Sequence, residues 1–234
     1  RPYCFGGDGH GWRKIMVKTA NTTVPRRRRK EARPQELTAA ALSLFVEKGF
    51  AATRLDEVAA RAGVSKGTLY LYFDSKEALF KAVIAEGVVP AIEAGEAMLE
   101  QYADDPRALL HEFLYGWWEH IGNTELGGIP KLMVSEARNF PDVAAYYHEA
   151  VIHRGLKLIR TAVQRGVEMG VFREVNTELI GNVFMAPLLH LAMWRHSFGA
   201  CCARDLDAGR FLDTWFDLLM HGLGAVRRVD GEKS

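Results

Sequence analysis

Apolar side chains recur at the spacing of an α-helix along most of the chain, and we find no strand-like alternation of apolar and polar positions. Proline, asparagine or aspartate stands near the start of several of these segments and glycine near the end, as helix boundaries favour. The sequence therefore predicts an all-α protein. The predicted helices lie near residues 34–48, 54–62, 66–73, 76–102, 107–121, 126–139, 142–169, 177–198 and 206–226.

The second and third predicted helices are short, and only the tight turn Gly63-Val64-Ser65 separates them. Gly63 suits the left-handed conformation that ends a helix, and Ser65 suits the N-cap of the next one. Thr53, with an acidic residue three positions later, is close to a capping box and predicts the start of the second helix. Two short helices joined in this way are typical of a helix-turn-helix.

The third predicted helix, Lys66 to Phe73, turns Leu69 and Phe73 toward a core and leaves polar and aromatic side chains on its outer face. The major groove of B-DNA accepts one α-helix, so only the outward side chains of this helix would meet base edges. Together with a basic segment ahead of it, this arrangement predicts a DNA-binding head.

Charge is unevenly distributed along the chain, although the net charge is only +1. Residues 1–86 carry 16 Lys/Arg and 9 Asp/Glu, whereas residues 87–234 carry 14 and 20. Residues 1–33 hold the run Arg26–Lys30 and few large apolar side chains, and we expect a disordered basic arm that follows the DNA backbone or enters the minor groove. Residues 1–15 are glycine-rich and lack a starting Met, so we interpret Met16 as the natural start.

The run from Thr53 to Phe80, TRLDEVAARAGVSKGTLYLYFDSKEALF, resembles the DNA-binding signature of the TetR/AcrR family of transcriptional regulators. The resemblance is close over residues 35–84 and only architectural beyond residue 87. It implies a three-helix head at residues 34–80, followed by a helical ligand-binding and dimerisation domain at residues 81–228. The residues that fall at the family spacing are Ala59, Ala62, Gly63, Val64, Ser65, Gly67, Leu69, Tyr70, Phe73, Lys76 and Glu77.

The resemblance also implies roles in DNA binding for particular side chains. The implied base readers are Lys66, Thr68 and Tyr70. Ser65 and Gly67 lie at the helix N-terminus, whose free N–H groups attract a phosphate. Leu71 departs from relatives that carry an aromatic residue there. The implied phosphate contacts are Thr53, Tyr72 and Lys76.

A second copy of the chain is expected because one short helix reads few base pairs. Two copies related by a two-fold axis would read a palindromic double-stranded operator with half-sites about 34–36 Å apart, or a multiple of that distance. The family resemblance implies that the last two helices form the dimer interface, and their apolar arc is wider than one inner face needs. The candidate interface residues are Phe184, Leu188, Leu191, Phe211, Leu212, Trp215, Phe216 and Leu219.

A small-molecule effector would bind between the middle helices, where aromatic and Met residues would favour a flat, apolar or cationic molecule. The alternative is that these side chains are ordinary core. Trp117 and Trp118 are about 100° apart on a helix, so at most one of them should point squarely inward. The pocket candidates are Phe113, Trp117, Met133, Tyr146, Tyr147, Met185 and His190.

Metal sites, cofactors and catalysis are not indicated. His148 and His153 are five positions apart, whereas a helical zinc motif has four, and Cys201 and Cys202 lack ligands at the required spacing. An odd number of cysteines indicates a reducing compartment, and the longest apolar stretch is shorter than the about 20 residues of a membrane span. With no secretory signal apparent, we expect a cytoplasmic protein that does not contact a membrane.

The main hypothesis is a dimeric, sequence-specific transcriptional repressor that a small apolar or aromatic effector releases from its operator. An activator of the same family is one alternative. A helical ligand-binding module without specific DNA readout is another, which the uneven charge argues against. A helical enzyme is the third, and the sequence shows no acid/base pair that would support it.

Overall fold

The computed structural model describes residues 32–199, 201 and 206–224, with residues 32 and 33 described by their backbone alone. The basic run Arg26–Lys30 and the proposed start at Met16 lie outside the described residues, as does Cys202. The first helix begins at Ala32, two residues before the predicted start, and therefore includes the last two positions assigned to the arm.

Helices account for most of the described residues, and the only strand-like pairing among them is an isolated bridge between Phe172 and Gly224. The prediction of an all-α fold is therefore confirmed. Two π-helical segments, Trp118–Gly122 and His148–His153, and a 3₁₀ turn, Glu125–Gly127, extend or join the α-helices. The α-helices are α1 Ala32–Lys48, α2 Leu55–Arg61, α3 Lys66–Tyr70, α4 Lys76–Gly87, α5 Val89–Gln101, α6 Pro106–Trp117, α7 Gly128–Glu136, α8 Pro141–Tyr147, α9 Arg154–Glu168, α10 Thr177–Phe198 and α11 Ala208–Leu223.

The predicted helix boundaries hold best where capping residues are strong. Helix α10 has the bounds expected for it, with the Asn176 side chain accepting hydrogen bonds from its first turn. The prediction of one helix over 76–102 is wrong, because the helix is interrupted at Val88, which separates α4 from α5. Pro90 stands in the first turn of α5, where its missing N–H has no helical partner to lose.

The head, which we define as α1 to α4, packs around three aromatic rings. Phe45, Phe50 and Phe80 are fully buried, and each pair of ring centroids is 5.1 Å apart. Such aromatic contacts add to the stabilisation that the buried area provides. Leu69 of α3 is also fully buried, so the same core positions the short helix.

The body, which we define as α5 to α11, packs α9 against α10 and α5. The Arg154 guanidinium on α9 forms two hydrogen bonds with the Glu96 carboxylate on α5, at 2.8 and 2.6 Å. Trp117 and Trp118 are both buried, so the expectation that only one faces inward is wrong. The π-helical segment that begins at Trp118 explains the difference, because it breaks the regular turn on which the 100° separation depends.

Head and body meet through α7 and the start of α8. The Phe140 ring lies edge-on to the Phe50 ring, with centroids 4.5 Å apart. The Glu136 carboxylate lies 3.4 Å from the Ala51 backbone nitrogen and accepts its hydrogen bond. Gly128 lies so close to α1 that a Cβ atom added to it would be 2.7 Å from a Val46 methyl group. The end of α1 therefore rests directly on α7.

Candidate nucleic-acid interface

Helix α2 begins at a cap different from the one predicted. Its N-cap is Arg54, whose backbone N–H donates to the Glu57 carboxylate at 3.3 Å. The prediction that Thr53 caps this helix is wrong, because its hydroxyl lies 2.8 Å from the Gly49 carbonyl oxygen and 3.2 Å from that of Leu44. Its side chain is only 2% exposed, which argues against the phosphate contact predicted for it. The Glu three positions after Arg54 is the sequence signal that marks the true cap.

The turn between α2 and α3 has the predicted geometry. Gly63 adopts φ +66°, a left-handed conformation that side chains disfavour, and the Val64 N–H donates to the Ala59 carbonyl at 2.9 Å. Ser65 is the N-cap of α3, and its hydroxyl accepts from the Thr68 N–H at 3.1 Å. These contacts are local, so both predictions from the sequence are confirmed.

Helix α3 is shorter than predicted, with five residues from Lys66 to Tyr70 and not eight. The N–H groups of Tyr72 and Phe73 both donate to the Leu69 carbonyl, at 3.0 Å each, so the chain leaves the helix in a tight turn. This turn brings Ser75 into position to cap α4, where its hydroxyl accepts from the Ala78 N–H. The interface is therefore a short helix followed by a turn.

The outer face of α3 and its following turn is accessible. Tyr70 is 45% exposed and Leu71 is 82% exposed, and Lys66, Gly67 and Tyr72 are exposed as well. Tyr70 is therefore not a core residue. Thr68 is half-buried, and its hydroxyl lies 2.8 Å from that of Ser65.

Acidic and basic side chains pair with one another beside this face. The Lys66 ammonium lies 3.6 Å from the Asp56 carboxylate and 6.0 Å from the centre of the Tyr70 ring. A hydrogen bond from the Arg54 guanidinium is the main cause that lowers the pKa of Asp56, and the Lys66 charge contributes in the same direction. Asp56 and Lys66 therefore form an exposed ion pair beside Tyr70.

Lys76 has a structural environment that the sequence did not indicate. Its ammonium donates to the carbonyl oxygens of Phe50, Ala51 and Thr53, at 2.7, 3.0 and 3.1 Å. It also lies 4.6 Å from the centre of the Phe50 ring, and burial lowers its pKa. An ammonium has three N–H donors, so these carbonyls occupy all of them. The structure therefore argues against the phosphate contact predicted for Lys76.

The basic excess of residues 1–86 lies ahead of the head. Residues 32–86 carry seven Lys/Arg and seven Asp/Glu, whereas residues 1–31 carry nine and two. The folded head is thus close to neutral, and the basic excess of the first 86 residues belongs to a segment outside the described residues.

Two family models match separate parts of the chain. Residues 37–83 match the model of bacterial regulatory proteins of the tetR family, and residues 108–207 match the C-terminal domain of AefR-like transcriptional repressors. The chain belongs to the TetR family. This family consists of transcription regulators and not of enzymes.

Several TetR-family proteins are similar to the chain over different lengths. The transcriptional regulator RutR of Escherichia coli strain K12 is 39% identical over 93 residues, which cover 40% of this chain and 43% of RutR. The chain thus spans less than half the length of that relative. The transcriptional repressor NicS of Pseudomonas putida is 26% identical over 197 residues, 79% of this chain and 89% of NicS. The structure of PfmR from Thermus thermophilus has a TM-score of 0.66 and 28% identity, covering 80% of this chain and 98% of PfmR.

Most residues predicted for a dimer interface lie inside the TetR-family body. Phe184, Leu188, Leu191, Leu212 and Leu219 are buried within the chain and cannot form its surface, so their assignment is corrected. Phe211, Trp215 and Phe216 are half-buried. The face of α10 that carries Phe184 packs against the rest of the body. The wide apolar arc of α10 is therefore divided into an inner stripe, which is buried, and an outer stripe, which is exposed. The exposed apolar residues on α10 and α11 include Leu179, Val183, Met193 and Leu218.

The residues predicted for a ligand pocket do not lie together around a cavity. Phe113, Trp117, Met133 and Tyr147 are buried in the core, Tyr146 and Met185 are half-buried, and His190 is exposed on α10. A cavity of about 460 Å³ lies elsewhere, at the C-terminal end of α10, and none of these seven residues lines it. Within residues 32–199, 201 and 206–224 no group of His, Cys, Asp and Glu is arranged to hold a metal ion. None of the helices in those ranges combines the length and the apolar character that a membrane span requires.

Proposed function

We propose that this TetR-family protein is a dimeric, sequence-specific DNA-binding repressor that leaves its operator when a small molecule binds its body. The observation that carries the proposal is the presentation of α3. Leu69 fixes this helix to the buried core and Ser65 caps it, while Lys66 and Tyr70 face outward. A short helix held in this way can enter the major groove with its polar side chains against base edges.

The proposed contacts divide into readout and positioning. Lys66, Thr68 and Tyr70 are proposed to meet base edges, because their side chains lie on or beside the exposed face of α3. Ser65 and Tyr72 flank that face, where the helix N-terminus and a tyrosine hydroxyl suit phosphate oxygens. The basic residues 26–30 would add a sequence-independent attraction that weakens as salt rises.

A second copy is proposed to cover the outer apolar stripe of α10 and α11. Leu179 and Val183 of α10 are about half exposed, and Leu218 of α11 is 62% exposed. The His190 and Phe211 rings, 6.2 Å apart, link the two helices within this stripe. An isologous contact here would bury the stripe and place the two α3 helices symmetrically about a two-fold axis.

Release from DNA requires the body to move the head. Helix α7 touches the head through Gly128 against Val46 and through Glu136 at Ala51. The junction at Val88 between α4 and α5 is a point where the chain can bend. A ligand that binds more tightly to a conformation with separated heads shifts the population away from the operator-bound form.

The DNA-binding proposal is tested by selecting a binding site from random duplexes and measuring affinity by fluorescence anisotropy. Tyr70→Ala is expected to weaken binding to the selected duplex by roughly 5- to 150-fold, because a specific base contact contributes about 1–3 kcal/mol. Binding to random duplex should change little. Val134→Ala, an exposed substitution on α7, is the control. Equal affinity of the parent protein for selected and random duplexes would refute specific readout.

The sign of regulation is tested separately, by transcription in vitro from a promoter that carries the selected site. A repressor lowers the transcript yield in proportion to occupancy, whereas an activator raises it. A yield that does not respond to the protein at saturating occupancy would contradict both roles.

The dimer proposal predicts that charge in the outer stripe separates the copies. Val183→Glu and Leu218→Glu are each expected to shift the protein from dimer to monomer at micromolar concentration, because a buried unpaired carboxylate is strongly unfavourable in an interface. Sedimentation velocity measures the species. Val134→Glu, which introduces the same charge at an exposed position on α7, should remain dimeric. Dimers of unchanged stability in both stripe variants would place the interface elsewhere.

A further inference from the structure

The cavity at the C-terminal end of α10 is lined by both apolar and polar side chains. Its volume is about 460 Å³, and Trp118, Leu191 and Leu206 form part of its walls. Trp194, Arg195 and His196 line it as well, so three consecutive residues of α10 border one space. A concave site in which polar groups converge beside aromatic side chains is typical of small-molecule binding.

One of these polar groups has no partner. The Trp194 indole nitrogen is shielded from solvent and has no hydrogen-bond partner in the part of the chain that the structure describes. Leaving such a group unsatisfied costs about 1–3 kcal/mol. An indole N–H can only donate, so the group that would satisfy Trp194 must be an acceptor.

The charges around the cavity favour an anion. Arg195 forms no salt bridge within the described residues, and the Lys131 ammonium donates to the His196 carbonyl at 2.8 Å. Burial is the main cause that lowers the pKa of His196, and Arg195 and Lys131 act in the same direction, while the backbone at Gly122 and Thr124 opposes them. The nearby carboxylate of Asp207 already accepts the N–H of Arg210 as the cap of α11.

We propose that this cavity binds a planar aromatic carboxylate, with its ring against the indoles of Trp118 and Trp194 and its carboxylate toward the Trp194 N–H and Arg195. The proposal rests on the proposed function, because it names the chemical class of the effector that releases the protein from DNA. It differs from the sequence expectation of an apolar or cationic ligand between the middle helices. The guanidinium and the unsatisfied indole donor carry that difference.

The same cavity lies close to the contact between body and head. A Cβ atom added to Gly127 would be 2.8 Å from the His196 Nε2 atom, so the imidazole packs directly on the turn before α7. The next residue, Gly128, is the one that rests on Val46 of α1. A ligand that moves His196 therefore displaces the residue that supports the head.

Calorimetric titration of the full chain with 2-naphthoate tests the site, with neutral 2-naphthalenemethanol as the matched probe. We expect 2-naphthoate to bind with one site per chain and at least ten times more tightly than the alcohol. Arg195→Gln should remove that preference by weakening naphthoate binding about tenfold while leaving the alcohol unchanged. Trp194→Phe, which keeps a ring and removes the N–H, should weaken naphthoate binding as well. Arg160→Gln, an exposed substitution on α9, is the control and should change neither affinity.

The outcomes distinguish a wrong assignment of the ligand site from a wrong proposal of function. Equal affinity for the two probes, or naphthoate affinity that Arg195→Gln leaves unchanged, would overturn the carboxylate assignment whatever the protein does on DNA. Adding 2-naphthoate to the complex with the selected duplex is expected to release the parent protein and not Arg195→Gln. Tight, Arg195-dependent binding without release would support the site and contradict the release mechanism. If the ligand-free parent protein shows no specific DNA binding, the proposed function is contradicted and the assignment of the ligand site is unaffected.

Discussion

Replacing Phe50 with alanine is expected to lower the free energy of unfolding by about 3–5 kcal/mol, the range for deleting a buried phenyl ring. The Phe50 side chain is fully buried, and its ring contacts those of Phe45 and Phe80 in the head and Phe140 in the body. The substitution leaves a cavity where the two parts meet, so neither part can close it without moving the other. Urea denaturation followed by circular dichroism measures the loss.

Leu71→Ala is the matched control for this substitution. Leu71 is 82% exposed, so its truncation should change the free energy of unfolding by less than about 0.5 kcal/mol. A loss below about 1 kcal/mol in Phe50→Ala would mean that the junction repacks around the missing ring, and would contradict the packing described for the head.

Replacing Lys76 with methionine is expected to lower the free energy of unfolding by about 2–3 kcal/mol, because hydrogen bonds from a charged group contribute about 1.5–3 kcal/mol and three carbonyls lose their donor. Those carbonyls belong to residues 50, 51 and 53, which form the connection between α1 and α2. Methionine retains most of the length of the lysine side chain and its apolar contact with the Phe50 ring. The substitution therefore measures the contribution of the ammonium group. Chemical denaturation gives the stability, and anisotropy at several salt concentrations gives the DNA affinity.

Lys66→Met provides the contrast, because Lys66 is exposed and its ion pair with Asp56 should contribute little to stability. We expect this variant to fold as the parent does and to bind the selected duplex more weakly. If Lys76 instead contacts a phosphate, Lys76→Met would keep its stability, and the salt dependence of DNA binding would fall by about one charge. That pattern would overturn the structural role assigned to Lys76.

Local signals in the sequence were sufficient for the helix-turn-helix. Gly63 ends α2 in a left-handed conformation and Ser65 caps α3, and both contacts involve residues within five positions. The cap of α2 was missed by one residue because Thr53 and Arg54 both have an acidic residue three positions later. Only the contact of Thr53 with the end of α1 distinguishes them.

Contacts between near neighbours are enough to predict the all-α class and the head with its turn, because helix spacing, capping and turn chemistry act over a few residues. Contacts between distant residues settle which stripe of α10 faces outward, where Lys76 directs its ammonium and where a cavity remains. These features depend on residues far apart in the chain, such as Lys76 with Phe50, Phe50 with Phe140, and Lys131 with His196. A helical pattern shows that a side chain has an apolar environment, but whether that environment is the core, a second copy or a ligand depends on what packs against it.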